Sequence, residues 1–441
     1  MDTGATAWVM TSAALVLLMT PGLAFFYGGM VRTKSVLNMM MMSFSSLGIV
    51  TVLWVLYGYS MAFGDDVGAG LLGNPGDYLG LKGLINDVGS IPTLAFVGFQ
   101  AVFAIITVAL ISGAIADRAK FGAWCVFTVV WATIVYFPVA HWVFDFTLTD
   151  EDTGAVTHTG GWIANNLAAL DFAGGTAVHI NAGAAGLALA LVLGKRVGWP
   201  KEPMRPHNLP FVMLGAGLLW FGWFGFNAGS ALGANETAAL AWVNTIAATA
   251  AAMLGWLITE RFRDGHATSL GGASGVVAGL VAITPACGSV NPIGALIIGV
   301  LAGVFCALAV GLKFRFGFDD SLDVVGVHLI GGLWGTLSIG FFATHTAPAA
   351  FDNDGLLMGG GVELLGKQAL AAFAVLAYSF ILTYIIGLII QKTMGFRLDE
   401  ESEVEGIDGH EHAESAYDSS TGGGSTRPVA AAAKAESEVP A

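Results

Sequence analysis

Two histidines lie deep within apolar segments of this 441-residue chain, and the residues around them repeat. His179 follows Asp171 by eight positions, and His328 follows Asp320 at the same spacing. An imidazole in the hydrocarbon of a membrane is costly and usually has a function there. Because neutral imidazole offers one donor and one acceptor, two of them could bond to each other, face a small polar molecule and relay a proton. The alternative is two core histidines that each bond to a backbone carbonyl.

The composition is that of a polytopic membrane protein. Hydrophobic residues make up 55% of the chain and charged residues 11%, whereas soluble domains carry about 25% charged residues. The 61 glycines suit helices that approach closely in lipid. A formal charge of −14 argues against nucleic-acid binding, and the three cysteines predict neither a disulfide framework nor a zinc site. No cleavable signal is predicted, because the first apolar run is long enough to span and follows no basic segment.

The apolar runs predict an all-α fold of eleven transmembrane helices when they are read against the roughly 20 residues that a span needs. Their ranges are 8–30, 36–63, 92–116, 122–144, 172–194, 209–229, 237–259, 270–286, 292–312, 325–345 and 367–392. With that count, all lysines and arginines except Lys82 and Lys367 fall on one side of the membrane. The positive-inside rule then places the N-terminus outside and the C-terminus in the cytoplasm.

The repeated histidine frames predict two five-helix repeats, at about 8–194 and 209–345, followed by one further helix. Glycines recur at matching offsets in both frames, Gly183 with Gly332 among them. The second repeat must be inverted, so one histidine enters from the outer face and the other from the inner face. Both then lie near the midplane. Inverted repeats with a midplane site are typical of transporters.

The domain organisation follows from the same reading. Residues 1–398 are the predicted transmembrane domain, with the eleventh helix at 367–392. Residues 399–441 form an acidic cytoplasmic tail. The low-complexity stretch 421–441 is predicted to be disordered.

Long blocks of the sequence resemble the ammonium transporter family (Amt/Mep/Rh), specifically its prokaryotic Amt branch. The resemblance runs from about Trp8 to Tyr417. It rests on PGLAFFYGGMVRTKSVLN (21–38), FQAVFAIITVALISGAIADR (99–118), PVAH (138–141), DFAGGTAVHINAGAAGL (171–187), LLWFGWFGFNAGSALGANETAALAWVNT (218–245) and DDSLDVVGVH (319–328). It implies an eleven-helix protomer with a five-plus-five inverted repeat. It also implies a homotrimer with one pore per protomer in the cell membrane, no enzyme activity and no cofactor.

The resemblance assigns the histidines to a narrow apolar pore, in which His179 and His328 share a hydrogen bond between ring nitrogens. Phe103 and Phe226 match the stacked phenylalanines that close the outer mouth. Taken alone, such aromatic residues would be interpreted as core packing. The predicted function is ammonium transport: NH4+ is recruited outside, is deprotonated, and crosses as NH3. Whether the proton follows is left open.

The resemblance also implies an outer recruitment site. Ser230 supplies a hydroxyl acceptor, and Trp223 is expected to line or support the same vestibule. Asp171 is interpreted as a helix N-cap that also stabilises the arriving cation.

One position departs from the family pattern. Phe144 stands where the family has a tryptophan three residues after the PVAH histidine, and an insertion, 145–159, follows it. Phenylalanine is a weaker cation–π partner than tryptophan. Either Phe144 takes that role, or the loop brings in Trp142 or Trp162.

The cytoplasmic side leaves further alternatives. Asp320 and Asp323 are interpreted as helix caps. The segment 395–417 resembles the family's C-terminal segment, which couples protomers and helps a PII-type signalling protein to dock. By composition alone it is a solvated acidic tail, and its His410 and His412 are interpreted as solvated.

Two other function classes remain open. The first is an ammonium sensor that acts through a PII-type partner. The second is an intramembrane enzyme with the two histidines as metal ligands, which lacks carboxylates within the apolar spans.

Overall fold

A computed structural model describes residues 1–150 and 152–417, and the predicted disordered stretch lies outside them. Apart from a small two-stranded hairpin, the regular secondary structure of the described residues is helical. Its α-helices are α1 (Thr3–Met30), α2 (Val36–Leu53), α3 (Tyr59–Phe63), α4 (Thr93–Ile111), α5 (Phe121–Trp131), α6 (Phe137–Phe144), α7 (Asn181–Leu193), α8 (Leu209–Gly229), α9 (Glu236–Asp264), α10 (Ser269–Ile283), α11 (Pro292–Ala309), α12 (Leu312–Phe316), α13 (Ile330–Phe342), α14 (Glu363–Thr393) and α15 (Glu400–Glu405). The hairpin consists of β1 (Leu148–Thr149) and β2 (Val156–His158).

Short non-α turns interrupt or join these helices. The π-helical turns are Trp54–Gly58, Ala132–Tyr136, Ile163–Leu167, Gly175–Ile180, Val325–Leu329 and Asp408–His412. The 3₁₀ turns are Thr33–Ser35, Leu79–Leu81, Ser112–Ile115, Pro348–Ala350 and Leu356–Met358. Two of the π-helical turns carry the histidines singled out above.

Ten helices of the described residues are long and apolar enough to cross a membrane. They correspond to ten of the eleven predicted spans. The remaining prediction, 270–286, coincides with α10, which has 15 residues. The apolar composition continues beyond Ile283, but the chain leaves the helix there for a turn.

Side-chain caps explain where several long helices begin. Asp2, Asn208, Asn235, Thr268 and Asn291 each accept a hydrogen bond from the backbone N–H three positions ahead. Such a bond satisfies one of the free donors of the first turn.

Glycines allow the closest helix pairs to touch. On α8, a Cβ at Gly215 would meet the backbone of Phe26 on α1, and on α11 a Cβ at Gly303 would overlap the carbonyl oxygen of Ala252 on α9. Backbones that approach this closely gain van der Waals contact where lipid offers no hydrophobic driving force.

The C-terminal segment 395–417 packs on one end of the bundle, which is called the tail end below. Asp408 accepts hydrogen bonds from the N–H groups of Leu37 and Asn38 at the start of α2. Glu411 accepts one from Phe121 at the start of α5. The interpretation of this segment as a solvated acidic tail is therefore wrong for Asp408 and Glu411, because they cap helix starts, whereas Glu400 and Glu401 are exposed.

The interpretation of His412 as solvated is wrong for the same reason. Its Nε2 lies 3.0 Å from Asn38 Oδ1, and its ring packs edge-on against Phe121 at 5.0 Å between centroids. His410 is exposed.

A buried ion cluster joins the two halves of the chain at the tail end. Arg196 binds Asp319 through two side-chain hydrogen bonds, of 2.9 and 2.8 Å, and Arg118 lies 3.9 Å from the same carboxylate. Burial alone would raise the pKa of Asp319, but the Arg196 hydrogen bonds and the Arg118 charge outweigh it and lower that pKa. Burial lowers the pKa of Arg118 to about 10.

We expect Asp319→Asn to destabilise the fold by about 3–5 kcal/mol, because it removes a carboxylate from two buried guanidinium groups. Arg196 keeps its contact with Asp117, whereas Arg118 loses the carboxylate beside it. Thermal unfolding of the purified protein in detergent measures the loss. Since the pKa of Asp319 is lowered in the folded state, the stabilisation is present above the unfolded value of about 3.9 and disappears as the pH falls through the folded value.

Glu363→Gln is the matched control, because Glu363 forms an ion pair with Lys367 while its own side chain is 81% exposed. Its effect on unfolding should lie near zero. Equal melting temperatures for Asp319→Asn and the unmodified chain would contradict the structural role of the cluster.

Candidate functional site

A cavity of about 950 Å³ opens at the end of the bundle that carries β1 and β2, which is called the hairpin end below. Among the predicted site residues, Phe103, Phe144, Asp171 and Ser230 line this vestibule. The hydroxyl hydrogen of Ser230 is not free to face the cavity, because Oγ donates a 2.8 Å hydrogen bond to the carbonyl oxygen of Phe226.

Two stacked phenylalanines close the floor of the vestibule. The ring centroids of Phe103 and Phe226 lie 4.1 Å apart with an interplanar angle of 20°. Both residues are fully buried. Phe103 lines the vestibule and Phe226 lines a second, inner cavity, so the stacked pair stands between the two spaces.

The inner cavity has a volume of only about 10 Å³ and is lined by apolar side chains and both histidines. That volume is close to the minimum that holds one water-sized molecule. Its apolar wall consists of Met19, Leu23, Phe26, Ile106, Leu110, Val178, Leu219, Trp223, Phe226 and Val277.

The two histidines lie in contact beside this cavity. The Nδ1 atoms of His179 and His328 are 3.3 Å apart, and their rings are nearly parallel, at 18°. One Nδ1 must donate and the other accept, because two protonated or two bare nitrogens cannot bond. The buried Nε2 of His179 has no hydrogen-bond partner among the described residues, so it remains available to a molecule in the cavity.

Each histidine sits in a π-helical turn that an aspartate caps. Asp171 accepts hydrogen bonds from the N–H groups of Gly174, Gly175 and Thr176, at 2.8, 2.6 and 2.7 Å, and also one from the Thr176 hydroxyl. Asp320 likewise accepts from Val324 and Val325, at 3.1 and 2.7 Å. π-Helical turns are rare and are frequent at functional sites.

Asp323 differs from the capping role expected of it. Its carboxylate binds Lys313 Nζ at 2.6 Å. Only its backbone carbonyl accepts from the turn, namely from the N–H of Val327. Its backbone φ of 63° lies in the left-handed region.

The repeated glycines lie on the helices that follow the two π-helical turns, Gly183 on α7 and Gly332 on α13, and each meets the opposite turn. A Cβ at Gly183 would lie 2.5 Å from the backbone N of Leu329, and a Cβ at Gly332 would lie 3.0 Å from the Cβ of His179. Each glycine therefore makes room for the turn that carries the opposite histidine. This reciprocal contact allows the short distance between the imidazoles.

Trp223, which was expected to line or support the vestibule, lines the inner cavity below the stacked phenylalanines and lies 5.3 Å from the ring of Phe226. Its indole is stacked on His179 at 5.4 Å between ring centroids. The indole Nε1 donates a 2.7 Å hydrogen bond to Thr284 Oγ1 in the turn that follows α10. This bond fixes the ring against the histidine, and nothing local in the sequence indicates Thr284 as its partner.

Of the three aromatic residues considered for the outer wall, Phe144 is the one that lines the vestibule. Its ring lies 6.2 Å from that of Phe103 in an edge-on arrangement. Trp142 and Trp162 pack against each other at 5.8 Å, and Trp142 also bonds the carbonyl oxygen of Leu71.

Gln368 on α14 supports the site from behind, although the sequence did not single it out. Its side-chain amide binds both backbone groups of Leu170, each at 2.7 Å, and the carbonyl oxygen of Thr336 at 3.1 Å. Leu170 directly precedes Asp171. The signal that could have revealed Gln368 is an amide side chain within an otherwise apolar span.

The described residues offer no group of three His, Cys, Asp or Glu side chains placed to share a metal ion. Cys125, Cys287 and Cys306 are free thiols.

Comparison with known proteins gives one consistent result. The profile described as "Ammonium Transporter Family" matches residues 7–417. A protein named "Ammonium transporter" from Mycobacterium tuberculosis (strain ATCC 25618 / H37Rv) is 64% identical over 449 residues, covering 97% of this chain and 93% of the relative. Another of that name from Aquifex aeolicus (strain VF5) is 49% identical, covering 95% and 94%.

Solved structures agree with the sequence relatives. The crystal structure of Saccharomyces cerevisiae Mep2 is 34% identical and aligns with a TM-score of 0.81, covering 91% of this chain and 88% of that one. A structure described as "Sensor Amt Protein" is 29% identical and aligns with a TM-score of 0.83, covering 93% and 98%.

We expect Gln368→Leu to lower both stability and ammonium flux, because it leaves the buried N–H and C=O of Leu170 without partners. Each such group costs about 1–3 kcal/mol. Thermal unfolding and flux into vesicles are the two measurements. Gln368→Glu keeps the acceptor for the Leu170 N–H, so its stability and its flux should lie between those of the unmodified chain and those of Gln368→Leu.

Ser379→Ala on the same helix is the control, since it removes a single bond to the carbonyl oxygen of Asn181. If Gln368→Leu behaved like Ser379→Ala in both measurements, Gln368 would have no particular role at the site.

Proposed function

The chain belongs to the ammonium transporter family and is a multi-pass membrane protein, and from this premise we propose how it carries ammonium. NH4+ collects in the vestibule beside Ser230 and Phe144, and near Asp171 it passes one proton to water of the open vestibule, which leaves NH3. NH3 then passes between Phe103 and Phe226 and moves along the histidine pair.

The observation that carries this proposal is the inner cavity beside His179 and His328. A molecule of the size of NH3 fills a space of about 10 Å³, whereas a hydrated cation does not fit. A bare cation would lose its hydration shell to apolar walls, which is unfavourable by several kcal/mol or more. Neutral imidazoles supply the hydrogen bonds that NH3 needs without attracting an ion.

The vestibule supports recruitment of the charged form. The face of Phe144 attracts a cation, and the hydroxyl oxygen of Ser230 accepts a hydrogen bond. The Asp171 oxygens already accept bonds from backbone N–H groups, so this carboxylate acts on the cation through its field rather than as a direct ligand. Trp223 supports the pore by holding the ring of His179.

We also propose the arrangement in the membrane. The chain has eleven spans in two inverted five-helix repeats plus one, with the hairpin end outside and the tail end in the cytoplasm. The near-complete segregation of lysine and arginine supports this orientation. Three protomers associate. Apolar side chains that are exposed in one protomer, such as Phe221 and Phe262, then contact either lipid or a second protomer.

A second candidate function is ammonium sensing through a PII-type partner at the tail end. The observation that favours it is the ordered segment 395–417, together with the solved relative described as "Sensor Amt Protein". Flux measured with the purified protein alone separates the two functions. We expect flux without a partner, and vesicles that bind ammonium but never accumulate it would favour the sensor.

Reconstituted full-length protein tests the transport mechanism. We expect saturable ammonium flux and exclusion of K+, both of which His179→Ala and His328→Ala impair. Flux should fall about tenfold, the effect of roughly 1.4 kcal/mol on the barrier, or K+ should begin to pass. Electrical recording on the same vesicles decides whether charge moves, because flux across a silent membrane is neutral NH3 transport.

His345→Ala is the control for this experiment, since His345 is an exposed histidine paired with Asp354. Unchanged flux together with unchanged exclusion of K+ in both pore variants would defeat the assignment of the pore.

A further inference from the structure

The inserted segment 145–159 folds back onto its own first residue. His158, the last residue of β2, places Nε2 at 2.9 Å from both carboxylate oxygens of Asp145. Asp145 is only 5% exposed, and it follows Phe144 directly. The hairpin is therefore attached to the vestibule wall by an imidazole–carboxylate pair.

Other titratable groups surround this pair. His141 is fully buried, with Nδ1 at 3.1 Å from Asp145 Oδ2 and Nε2 at 3.3 Å from Asp66 Oδ1. On the open side, Asp65 Oδ1 lies 3.9 Å from His158 Nδ1. His141 does not line the vestibule.

The charge of the vestibule depends on His158. Carboxylates of Asp65, Asp87, Asp145 and Asp171 line the cavity, and His158 is the one basic side chain among the described residues that line it. When His158 is protonated it neutralises one of these carboxylates. When it is neutral, the cavity becomes more negative by one unit charge, and a cleft of one sign concentrates ions of the opposite sign.

We propose that His158 sets the affinity of the vestibule for ammonium according to the outside pH, through its contact with Asp145. Protonation weakens recruitment, and loss of the proton strengthens it. This inference rests on the proposed function of the vestibule and adds to it an affinity-determining residue that lies outside the blocks of family resemblance.

The sign of the effect follows from the same contact. The hydrogen bond with Asp145 raises the pKa of His158 above its ordinary value, which is about 6.5. The charged form therefore persists to higher pH than in an isolated histidine. Its stabilisation of the hairpin is fully present below the unfolded pKa and is lost as the pH rises through the folded pKa.

Ammonium flux into vesicles that contain the full-length protein tests the proposal at about pH 6 and about pH 8.5, on either side of the histidine titration. For the unmodified chain we expect KM to fall about two- to fivefold at the higher pH, the effect of one partly screened unit charge. The shift should shrink at high ionic strength.

Three variants distinguish charge from structure. His158→Gln should keep the low KM at both pH values, and His158→Lys should keep the high KM at both. His345→Gln, which changes an exposed histidine outside the vestibule lining, should follow the unmodified chain. Hydrogen exchange of the hairpin amides confirms that the strands persist in each variant.

The same pH shift in His158→Gln as in the unmodified chain would overturn the inference. It would also be overturned if His158→Lys matched His158→Gln, or if the variants changed the maximal rate alone, because then the charge of residue 158 would not be the cause. Absence of ammonium flux in the unmodified protein is a different outcome, and it counts against the proposed function itself.

Discussion

Contact between two imidazoles inside an apolar helix bundle is the constraint on which the rest of this structure depends. A distance of 3.3 Å between the Nδ1 atoms of His179 and His328 leaves little tolerance, since hydrogen bonds weaken steeply with misalignment. Close contact of Gly183 and Gly332, each with the turn that carries the opposite histidine, allows that distance. The aspartates that cap the turns, and Gln368 behind them, then hold the backbone in place.

The sequence predicts those parts of the site whose free-energy cost can be recognised from one residue and its immediate neighbours in the chain. A histidine in hydrocarbon is unfavourable wherever its partner lies, so His179 and His328 can be recognised one residue at a time. The same holds for an apolar run long enough to span a membrane. The extent of α10 was not predictable in this way, because the apolar composition continues past the point at which the helix ends.

The sequence could not predict features that depend on a hydrogen bond with a residue far along the chain. Trp223 is held below the stacked phenylalanines by Thr284, 61 positions away. Asp408 caps α2 across 371 positions, so its acidic segment resembles a solvated tail until the fold brings the two together. In both cases the residue type is compatible with several environments, and a tertiary hydrogen bond selects one of them.

The electrostatic interactions at the two ends of the bundle differ in kind. At the tail end, buried carboxylates meet guanidinium groups and helix N-termini at contact distance, and each partner is required because an unpaired buried charge is costly. At the hairpin end, carboxylates line an open cavity, and beyond their own hydrogen bonds they contribute to one field there. Because such a field is a sum over several groups, it keeps its sign when one of the residues that produce it is replaced.

That difference bears on the two steps of the proposed function. If the vestibule recruits a cation as proposed, the attraction is a sum over many groups, so a phenylalanine at position 144 and the hairpin after it are compatible with recruitment. The proposed passage beside His179 and His328 has no such freedom, since a cavity of about 10 Å³ admits or rejects a molecule by contact. In the proposed mechanism, a changed side chain at the vestibule therefore shifts the affinity for ammonium, whereas a displaced side chain beside the histidine pair changes which molecules pass.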